Sequence, residues 1–388
     1  MTAIQDVVRE RGPMTVAAFM DLALYDPEFG YYARAARRSG RAGDFFTSVD
    51  VGPVFGDLLE IQIAEMFDIL SAGRSSGSTP PAPPAAVLVE AGAGNGRLSA
   101  DVLDAARRRH PPLFARMRVH LVDASPGARA AQESMLGDLV GHLASSSSAL
   151  PESFEGVLFA NELLDALPVH QVVMREDGLR EVYVSCPTEA PRSGAPLETI
   201  EGPLSTPALG EYLDRIGVVL EPGWRAEINL RAVEWIREAA RRLRRGFMIL
   251  IDYGHEARDL YGARHAAGTL TTFSRHTSPA ASGPEPAWLQ RPGEQDITAH
   301  VDFTSVLAAA GDAGLDALGF LDQTYFLLGL GADEMGRADE SLETLKRRLA
   351  LKTLLMPGGL GSTHKVLLLG KDVGRPALRG CSFRVRVT

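Results

Sequence analysis

Cysteine is rare in this sequence, and long apolar runs are absent. Only two of the 388 residues are cysteines, Cys186 and Cys381, which excludes a disulfide scaffold and suits a reducing compartment. The strongest apolar runs, Phe247–Ile251 and Val366–Leu369, have the length of strands, whereas a membrane helix needs about 18 or more apolar residues. The sequence therefore predicts no membrane-spanning segment and no cysteine-rich metal site.

Basic residues are fewer than acidic residues. The chain has 40 lysines and arginines against 49 aspartates and glutamates, a net charge of −9, whereas nucleic-acid binders usually carry a basic excess. The first residues include Asp6 and lack an apolar stretch, which predicts neither a signal peptide nor a transit peptide. Apolar residues make up 45% of the chain, which is typical of a globular protein. We expect a cytoplasmic protein that binds neither nucleic acid nor membrane.

The spacing of apolar residues predicts helices near the N-terminus and an alternating α/β pattern after them. Helices are expected over residues 2–11, 15–25 and 53–70. Strands then alternate with helices, which is typical of a parallel α/β sheet. The expected strands cover residues 87–91, 119–123, 157–160, 247–252, 315–321 and 364–369.

A low-complexity segment marks the one clear boundary in the chain. Residues 71–86 are rich in Ser, Gly, Ala and Pro, which predicts a linker. We therefore predict an N-terminal helical cap and linker over residues 1–84 and an α/β core over residues 85–388. The core carries an insertion at about residues 169–229. We infer it because the chain between the strands predicted at residues 157–160 and 247–252 is far longer than a simple crossover needs.

Three local features of the core complete this prediction. The third strand of the sheet is placed within residues 138–148, and a short helix is expected over residues 162–167. Asp177-Gly178 lies between two apolar runs and predicts a β-hairpin inside the insertion. Thr298 or Asp302 is expected to cap the helix that follows them.

A glycine-rich turn follows the first strand of the predicted core. Gly92, Gly94 and Gly96 permit a tight passage from strand to helix and a close approach of the backbone to a ligand. With Glu90 before it, this Gly-x-Gly-x-Gly spacing differs from the dinucleotide-binding pattern and resembles the S-adenosylmethionine loop of class I methyltransferases. Asp123 ends the next strand, where an acid accepts hydrogen bonds from ribose hydroxyls. The alternatives are a glycine turn of another α/β protein and a helix-capping Asp123.

A polar block follows the strand predicted at residues 157–160. A helical turn would place Glu162 and Asp165, three residues apart, on one face. Ligands of open α/β sheets bind at the carboxyl ends of the strands, and two carboxylates there can hold a guanidinium or accept a proton. The alternative is that Asn161 caps a short helix and that the acids only favour its N-terminus.

Two further segments carry candidate residues. Gly43, Thr47 and Ser48 lie in a turn that is suited to close over a cofactor, and an ordinary turn with a helix cap explains the same residues. His300 lies in a dense polar run and is a candidate base, whereas a lone histidine near a helix start is more often structural. No Cys/His group has the spacing of metal ligands, so no metal site is predicted.

Blocks of sequence throughout the chain match one known family in content and order. They are Tyr25-Asp26-Pro27, Gly30-Tyr31-Tyr32, Gly43-Asp44-Phe45-Phe46-Thr47-Ser48, Phe55-Gly56, Glu90–Gly96, Ser125-Pro126 with Arg129 and Gln132, Asn161–Val169, Asp252-Tyr253-Gly254, Gly268-Thr269-Leu270 and Gln295–Phe303. In these blocks the chain resembles the MidA-like family of class I S-adenosylmethionine-dependent methyltransferases, which includes the mitochondrial complex I assembly arginine methyltransferase. The chain departs from the family pattern at Ala93, where proline is usual, and at Val49-Asp50, where Pro-Glu is usual.

The resemblance implies a Rossmann-like methyltransferase sheet that binds S-adenosyl-L-methionine. The residues it assigns to the cofactor are Gly43, Thr47, Ser48, Glu90, Gly92, Gly94, Gly96, Asp123 and Asn161. Those it assigns to the acceptor side are Asn161, Glu162, Asp165 and His300. The expected acceptor is an arginine of a protein, and a homodimer is possible. The alternatives are a small-molecule O- or N-methyltransferase and a non-catalytic assembly factor that binds S-adenosylmethionine.

Overall fold

The chain forms two compact units, each built from segments that are distant in sequence. The computed structural model describes residues 3–35, 47–72, 84–187, 197–273, 286–335, 341–356 and 360–383. Unit 1 comprises Met1–Phe45, Leu164–Trp235 and Gly254–Ala308, and unit 2 comprises Phe46–Leu163, Ile236–Tyr253 and Ala309–Thr388. The predicted division of the chain at residue 84 stays a prediction.

The described residues form strands and helices throughout both units. The strands are β1 Met14–Thr15, β2 Ala86–Ala91, β3 Met117–Val122, β4 Leu143–Ser147, β5 Phe154–Asn161, β6 His170–Arg175, β7 Gly178–Ser185, β8 Glu198–Gly202, β9 Arg225–Ile228, β10 Leu243–His255, β11 Thr271–Phe273, β12 Asp296–Thr298, β13 Val301–Asp302, β14 Asp316–Asp322 and β15 His364–Lys371. The helices are α1 Ala3–Arg11, α2 Val16–Tyr25, α3 Tyr31–Ala35, α4 Val54–Ala72, α5 Arg97–Arg109, α6 Pro111–Phe114, α7 Pro126–Leu136, α8 Ala208–Ile216, α9 Leu230–Arg242, α10 Ala257–Leu260, α11 Phe303–Asp312, α12 Gln323–Gly329, α13 Ala332–Met335, α14 Leu342–Leu355 and α15 Leu360–Thr363. Among these described helices, none combines the length and the apolar character that crossing a membrane requires.

Unit 2 is organised around a mostly parallel sheet with the strand order β14-β15-β10-β5-β2-β3-β4. Strands β4, β3, β2, β5 and β10 are parallel to one another, and β15 is antiparallel to both of its neighbours. Its central strands are apolar and almost fully buried, because helices cover both faces of a parallel sheet. The predicted α/β fold with a parallel sheet is confirmed.

The centre of this sheet contains two backbone positions that have no room for a side chain. A Cβ atom at Gly156 of β5 would lie 2.0 Å from the carbonyl oxygen of Val87, and a Cβ atom at Gly246 of β10 would lie 1.9 Å from the carbonyl oxygen of Gly156. Three adjacent strands therefore approach one another closely through these glycines.

Unit 1 contains an antiparallel sheet in the order β1-β7-β6-β9, with β8 paired to β7. The predicted helices at the N-terminus are present, and the Thr15 hydroxyl caps α2 by accepting the Ala18 amide at 3.1 Å. The predicted hairpin is also present as β6 and β7, but Arg175 pairs with Gly178, so its loop is Glu176-Asp177, one residue earlier than expected. Asp302 caps α11 by accepting the Thr304 amide at 2.9 Å.

Two local predictions require correction. The predicted third strand is only partly right, since residues 143–147 form β4 while Gly137–His142 form a 3-10 turn. The short helix predicted over residues 162–167 is wrong, because this segment consists of bends and a turn. Glu162 has a φ of 51°, outside the helical region, and the carbonyls of residues 164–166 accept hydrogen bonds from donors elsewhere in unit 1, which fix the segment in an irregular form.

We expect Gly156→Ala to lower the free energy of unfolding by about 2–4 kcal/mol, because the added methyl group must displace the neighbouring β2 backbone. Urea unfolding followed by circular dichroism measures the change. Gly141→Ala is the matched control in the same unit, since a Cβ atom there meets nothing within 4 Å. Equal unfolding midpoints for the two variants would contradict this account.

Candidate active site

The turn between β2 and α5 combines a tight backbone with an open face. Gly92, Gly94 and Gly96 adopt φ values of 71°, 51° and 84°, which residues with a Cβ atom rarely adopt. A Cβ atom at Gly96 would lie 2.9 Å from a methyl group of Leu121, whereas one at Gly94 would meet nothing within 4 Å. Gly96 thus permits helix–strand packing, and Gly94 lies beside open space that a ligand can occupy.

Asp123 connects this turn to the next strand-to-helix turn. One of its carboxylate oxygens accepts the Gly94 amide at 2.8 Å, and the other accepts the Ser125 amide at 2.8 Å. Ser125 itself caps α7 by accepting the Ala128 amide at 3.3 Å, so Asp123 is not the helix cap that the alternative interpretation required. Burial raises the pKa of Asp123. Each carboxylate oxygen can accept a second hydrogen bond, which leaves capacity for ribose hydroxyls.

Glu90 lies in the buried part of the same turn. One of its carboxylate oxygens accepts the Ser99 hydroxyl at 2.5 Å and the Ser99 amide at 3.2 Å. Burial raises the pKa of Glu90 to about 8, although the bonds from Ser99 oppose this shift. The carboxyl group is therefore largely protonated at neutral pH in the free protein.

The end of β5 carries a polar cluster formed by Asn161, Glu162, Ser48 and His364. Glu162 has a φ of 51°, a left-handed conformation that is uncommon for a side chain of its size. One carboxylate oxygen of Glu162 accepts the Asn161 side-chain amide at 3.1 Å and the Ser48 backbone amide at 3.4 Å. The His364 Nε2 atom lies 3.5 Å from the same oxygen. No sequence pattern indicated His364. It begins β15, about two hundred residues after Glu162, and only the order of the strands in the sheet brings the two residues together.

Two buried atoms in this cluster lack a hydrogen-bond partner among the described residues, Asn161 Oδ1 and His364 Nε2. The Asn161 Oδ1 atom is an acceptor that lacks a donor among them. Since a buried unsatisfied acceptor is costly, such an atom in a native fold calls for an explanation such as a bound ligand.

The N-terminal candidates have partners of their own. The Thr47 amide and hydroxyl both donate to the Asp50 carboxylate at 3.1 Å, which closes a local turn. The Ser48 hydroxyl is fully buried and donates to the Gln323 side chain at 3.2 Å. Gly43 lies outside the described residues. Ser48 is thus joined to the Glu162 cluster through its backbone amide, while Thr47 is engaged within its own turn.

Asp165 and His300 belong to unit 1, and the structure does not place Glu162 and Asp165 on one helical face. Asp165 is buried, and its backbone carbonyl accepts the Ala299 amide at 3.0 Å. The Ala166 carbonyl accepts the Tyr25 hydroxyl at 3.0 Å, and the side-chain amide of Asn229 donates to the Leu164 carbonyl at 3.0 Å. These hydrogen bonds hold the segment in its non-helical form.

His300 lies in a group of three imidazole rings in unit 1. Its ring centroid is 5.4 Å from that of His255 and 5.6 Å from that of His265. Burial and these two neighbours lower the pKa of His300 to about 4. The ring is therefore neutral at neutral pH and is a weaker base than an exposed histidine. The sequence indicated neither His255 nor His265 as a site residue.

Comparison with known proteins identifies the chemistry that this arrangement serves. Residues 58–321, more than half of the chain, match the model of a family described as "Putative S-adenosyl-L-methionine-dependent methyltransferase". The chain belongs to this family. Its cofactor is S-adenosyl-L-methionine, and the methyltransferase family expected from the sequence blocks is confirmed.

Individual members show the similarity over most of the chain. The protein arginine methyltransferase NDUFAF7, mitochondrial, of Mus musculus is 29% identical over 94% of this chain and 78% of its own length. The zebrafish (Danio rerio) protein of the same name is 29% identical over 83% of this chain and 74% of its own length. A crystal structure from Burkholderia thailandensis bound to S-adenosyl-homocysteine has a TM-score of 0.82 and 28% identity, covering 98% of this chain and 94% of that one.

The residues of unit 2 fit the family's cofactor. Open space beside Gly94 and the Asp123 carboxylate, whose two oxygens can each accept a second hydrogen bond, provide room and acceptors for a ligand that carries hydroxyl and ammonium donors. S-adenosyl-L-methionine has both kinds of donor, in its ribose and in its amino acid moiety. The role of each individual residue toward the cofactor is a proposal, which the next section develops.

We expect Glu90→Gln to change how stability depends on pH. The pKa of Glu90 rises from an ordinary value of 4.5 to about 8 on folding, so the folded protein binds more protons than the unfolded chain between these values. The stability from protonated Glu90 is complete below pH 4.5 and is lost as the pH rises through about 8. Glutamine is neutral at every pH and removes this dependence.

Thermal midpoints of the cofactor-free protein between pH 5 and 8 measure the effect. The midpoint of the unsubstituted protein should fall relative to that of Glu90→Gln as the pH rises. Glu152→Gln is the control, since Glu152 is exposed in the same unit and should leave the pH dependence unchanged. Parallel curves for Glu90→Gln and the unsubstituted protein would show that Glu90 ionises normally.

Proposed function

We propose that this methyltransferase transfers the methyl group of S-adenosyl-L-methionine to an arginine side chain of a protein. The observation that supports this acceptor is the buried Asn161 Oδ1 atom, which has no partner among the described residues, beside the Glu162 carboxylate. A guanidinium group offers five N–H donors in a planar fork, and a carboxylate with a neighbouring amide oxygen matches that fork. The relatives named as protein arginine methyltransferases favour the same acceptor.

In this proposal the glycine turn and Asp123 hold the cofactor. The Gly94 face approaches its amino acid part, and Asp123 accepts the ribose hydroxyls with the lone pairs that Gly94 and Ser125 leave available. Glu90 is buried in the turn, and the ammonium group of a bound cofactor near it would favour the ionised form of its carboxyl group. The assignment of Gly92, Gly96, Gly43, Thr47 and Ser48 to the cofactor rests on the resemblance. Bound S-adenosyl-L-methionine supplies a methyl group that its sulfonium activates for displacement.

The acceptor side must orient a guanidinium nitrogen and remove its proton. Glu162 and Asn161 would hold the guanidinium in line with the methyl group. As the bond from nitrogen to the methyl carbon formed and the carbon–sulfur bond broke, the Glu162 carboxylate would accept the proton that the attacking nitrogen loses. Glu162 is preorganised for this task, because its left-handed backbone and its hydrogen bonds to Asn161 and Ser48 fix the carboxylate. The proposed contributions of Asp165 and His300 rest on the resemblance.

The two alternative functions predict different experimental results. A small-molecule O- or N-methyltransferase would label a metabolite, and a non-catalytic assembly factor would bind the cofactor without labelling anything. A cytoplasmic location, a homodimer and the absence of nucleic-acid or membrane partners stay predictions from the sequence. The mitochondrial names of the relatives describe those proteins.

We expect Asp123→Ala to weaken S-adenosyl-L-methionine binding by at least about tenfold, because hydrogen bonds to a charged group contribute about 1.5–3 kcal/mol. The substitution also removes the acceptor of the Gly94 amide, which loosens the turn. Isothermal titration calorimetry measures the affinity. Asp104→Ala is the control, an acid in α5 whose ion pairs are with Arg107 and Arg108. Unchanged affinity in Asp123→Ala would exclude its proposed role.

The acceptor is tested by incubating the protein with methyl-labelled S-adenosyl-L-methionine and a lysate, and then by identifying the labelled residue by mass spectrometry. We expect methylarginine in a protein. Label in a small molecule, or cofactor binding without any label, would contradict the proposal.

We further expect Glu162→Gln to reduce the rate of labelling by at least about tenfold, because the acceptor loses a hydrogen bond to a charged carboxylate. The affinity for S-adenosyl-L-methionine should change less than about threefold, because Glu162 contacts the acceptor in this proposal. Initial rates at saturating cofactor measure the effect, and Glu152→Gln is the exposed control. A parallel loss of cofactor affinity would assign Glu162 to cofactor binding instead.

A further inference from the structure

Three histidines that are far apart in sequence come together in unit 1. His255 ends β10, His265 ends the 3-10 turn Ala263–His265, and His300 precedes β13. Their ring centroids are separated by 5.1, 5.4 and 5.6 Å, so the rings form a nearly equilateral group. One ring nitrogen from each histidine lies within 4.8 Å of the other two. The end of β10 and two other segments of unit 1 thus converge at these imidazole rings.

The backbone around these rings is fixed by pairing outside the group. His255 pairs with Asp302 in the parallel β10–β13 ladder. The His300 amide donates to the Thr269 hydroxyl at 3.1 Å. These contacts fix the backbone at two of the three histidines.

The third ring is oriented through one of its nitrogens. The His265 Nδ1 atom lies 3.1 Å from the carbonyl oxygen of Asp259. Because a carbonyl only accepts hydrogen bonds, Nδ1 carries the proton and Nε2 has the free lone pair. This is the arrangement by which a backbone carbonyl orients a metal-ligating histidine.

We propose that His255, His265 and His300 bind one divalent ion of the zinc class, with solvent at the remaining coordination position. Imidazole is a preferred ligand of Zn²⁺, and three histidines with one open position form a recognised coordination set. Each of the three residues is partly exposed, which gives an ion access to the group.

The required movement is small. Nitrogens that bind Zn²⁺ at about 2.0–2.1 Å in a tetrahedral set lie about 3.3 Å apart. The ring nitrogens lie within 4.8 Å of one another, so side-chain rotations that move each nitrogen by about 1 Å bring them to that separation.

Such an ion would change the proposed role of His300. A nitrogen that binds the metal has no lone pair for a proton, so His300 would be a ligand in place of a base. The ion would also connect the end of β10 to two loops of unit 1. This site is independent of the proposed acceptor, and its test does not use methyl transfer.

The test uses the full chain, stripped of metal with a chelator and dialysed against Zn²⁺ alone. We expect about one zinc per chain by elemental analysis, and a rise in the thermal midpoint on adding Zn²⁺, because binding to the folded state stabilises it. His265→Gln should weaken Zn²⁺ binding by at least about 100-fold, since second-shell changes alone cost 10–100-fold. His120→Gln is the control, a histidine of β3 in unit 2 that should leave binding unchanged.

A second measurement needs no variant and covers the case in which His265→Gln fails to fold. Co²⁺ added to the metal-free protein should produce the visible absorption of low-symmetry nitrogen coordination, and Zn²⁺ should displace it. Absence of a Co²⁺ band together with substoichiometric zinc would show that the three rings only pack against one another. Zinc binding that His265→Gln leaves intact would place the ion elsewhere and overturn the proposal.

Discussion

The geometry of the glycine turn between β2 and α5 depends on one carboxylate, that of Asp123. Parallel strands end at the same edge of a sheet, so consecutive strand-to-helix turns lie side by side. Asp123 accepts one backbone amide from each of two such turns, those of Gly94 and Ser125. The amide of Gly94 is thereby satisfied inside a left-handed turn that otherwise exposes its backbone.

Acidic residues in unit 2 have different properties because their surroundings differ. Glu90 is buried against Ser99, and its pKa rises to about 8, so it is largely neutral in the free protein. Glu162 is fixed by the hydrogen bonds that its carboxylate accepts from Asn161 and Ser48. A buried neutral acid and a fixed carboxylate are suited to different tasks, the first to respond to a bound ammonium group and the second to orient an acceptor.

Predictions from the sequence succeeded where the signal was local. Strand β2, the three glycines of its turn, α5 and the Thr15 cap all follow from apolar periodicity and from the conformations that glycine and capping residues permit. The helix predicted over residues 162–167 was wrong because Glu162 has a left-handed backbone and the carbonyls after it are bound by Tyr25, Asn229 and Ala299, partners that a local pattern does not include. The strands β8, β9, β11 and β12 were missed for a similar reason, since short strands depend on their partners more than on their own residues.

The sequence alone determined the class of fold, the position of the glycine turn and the family, because strand–glycine–helix spacing and ordered motifs are properties of neighbouring residues. Only the tertiary structure placed His364 beside Glu162, identified the unsatisfied Asn161 Oδ1 atom and brought His255, His265 and His300 together. Each of these features joins residues from separate segments. Their proximity is set by strand order and loop packing, which no spacing along the chain encodes.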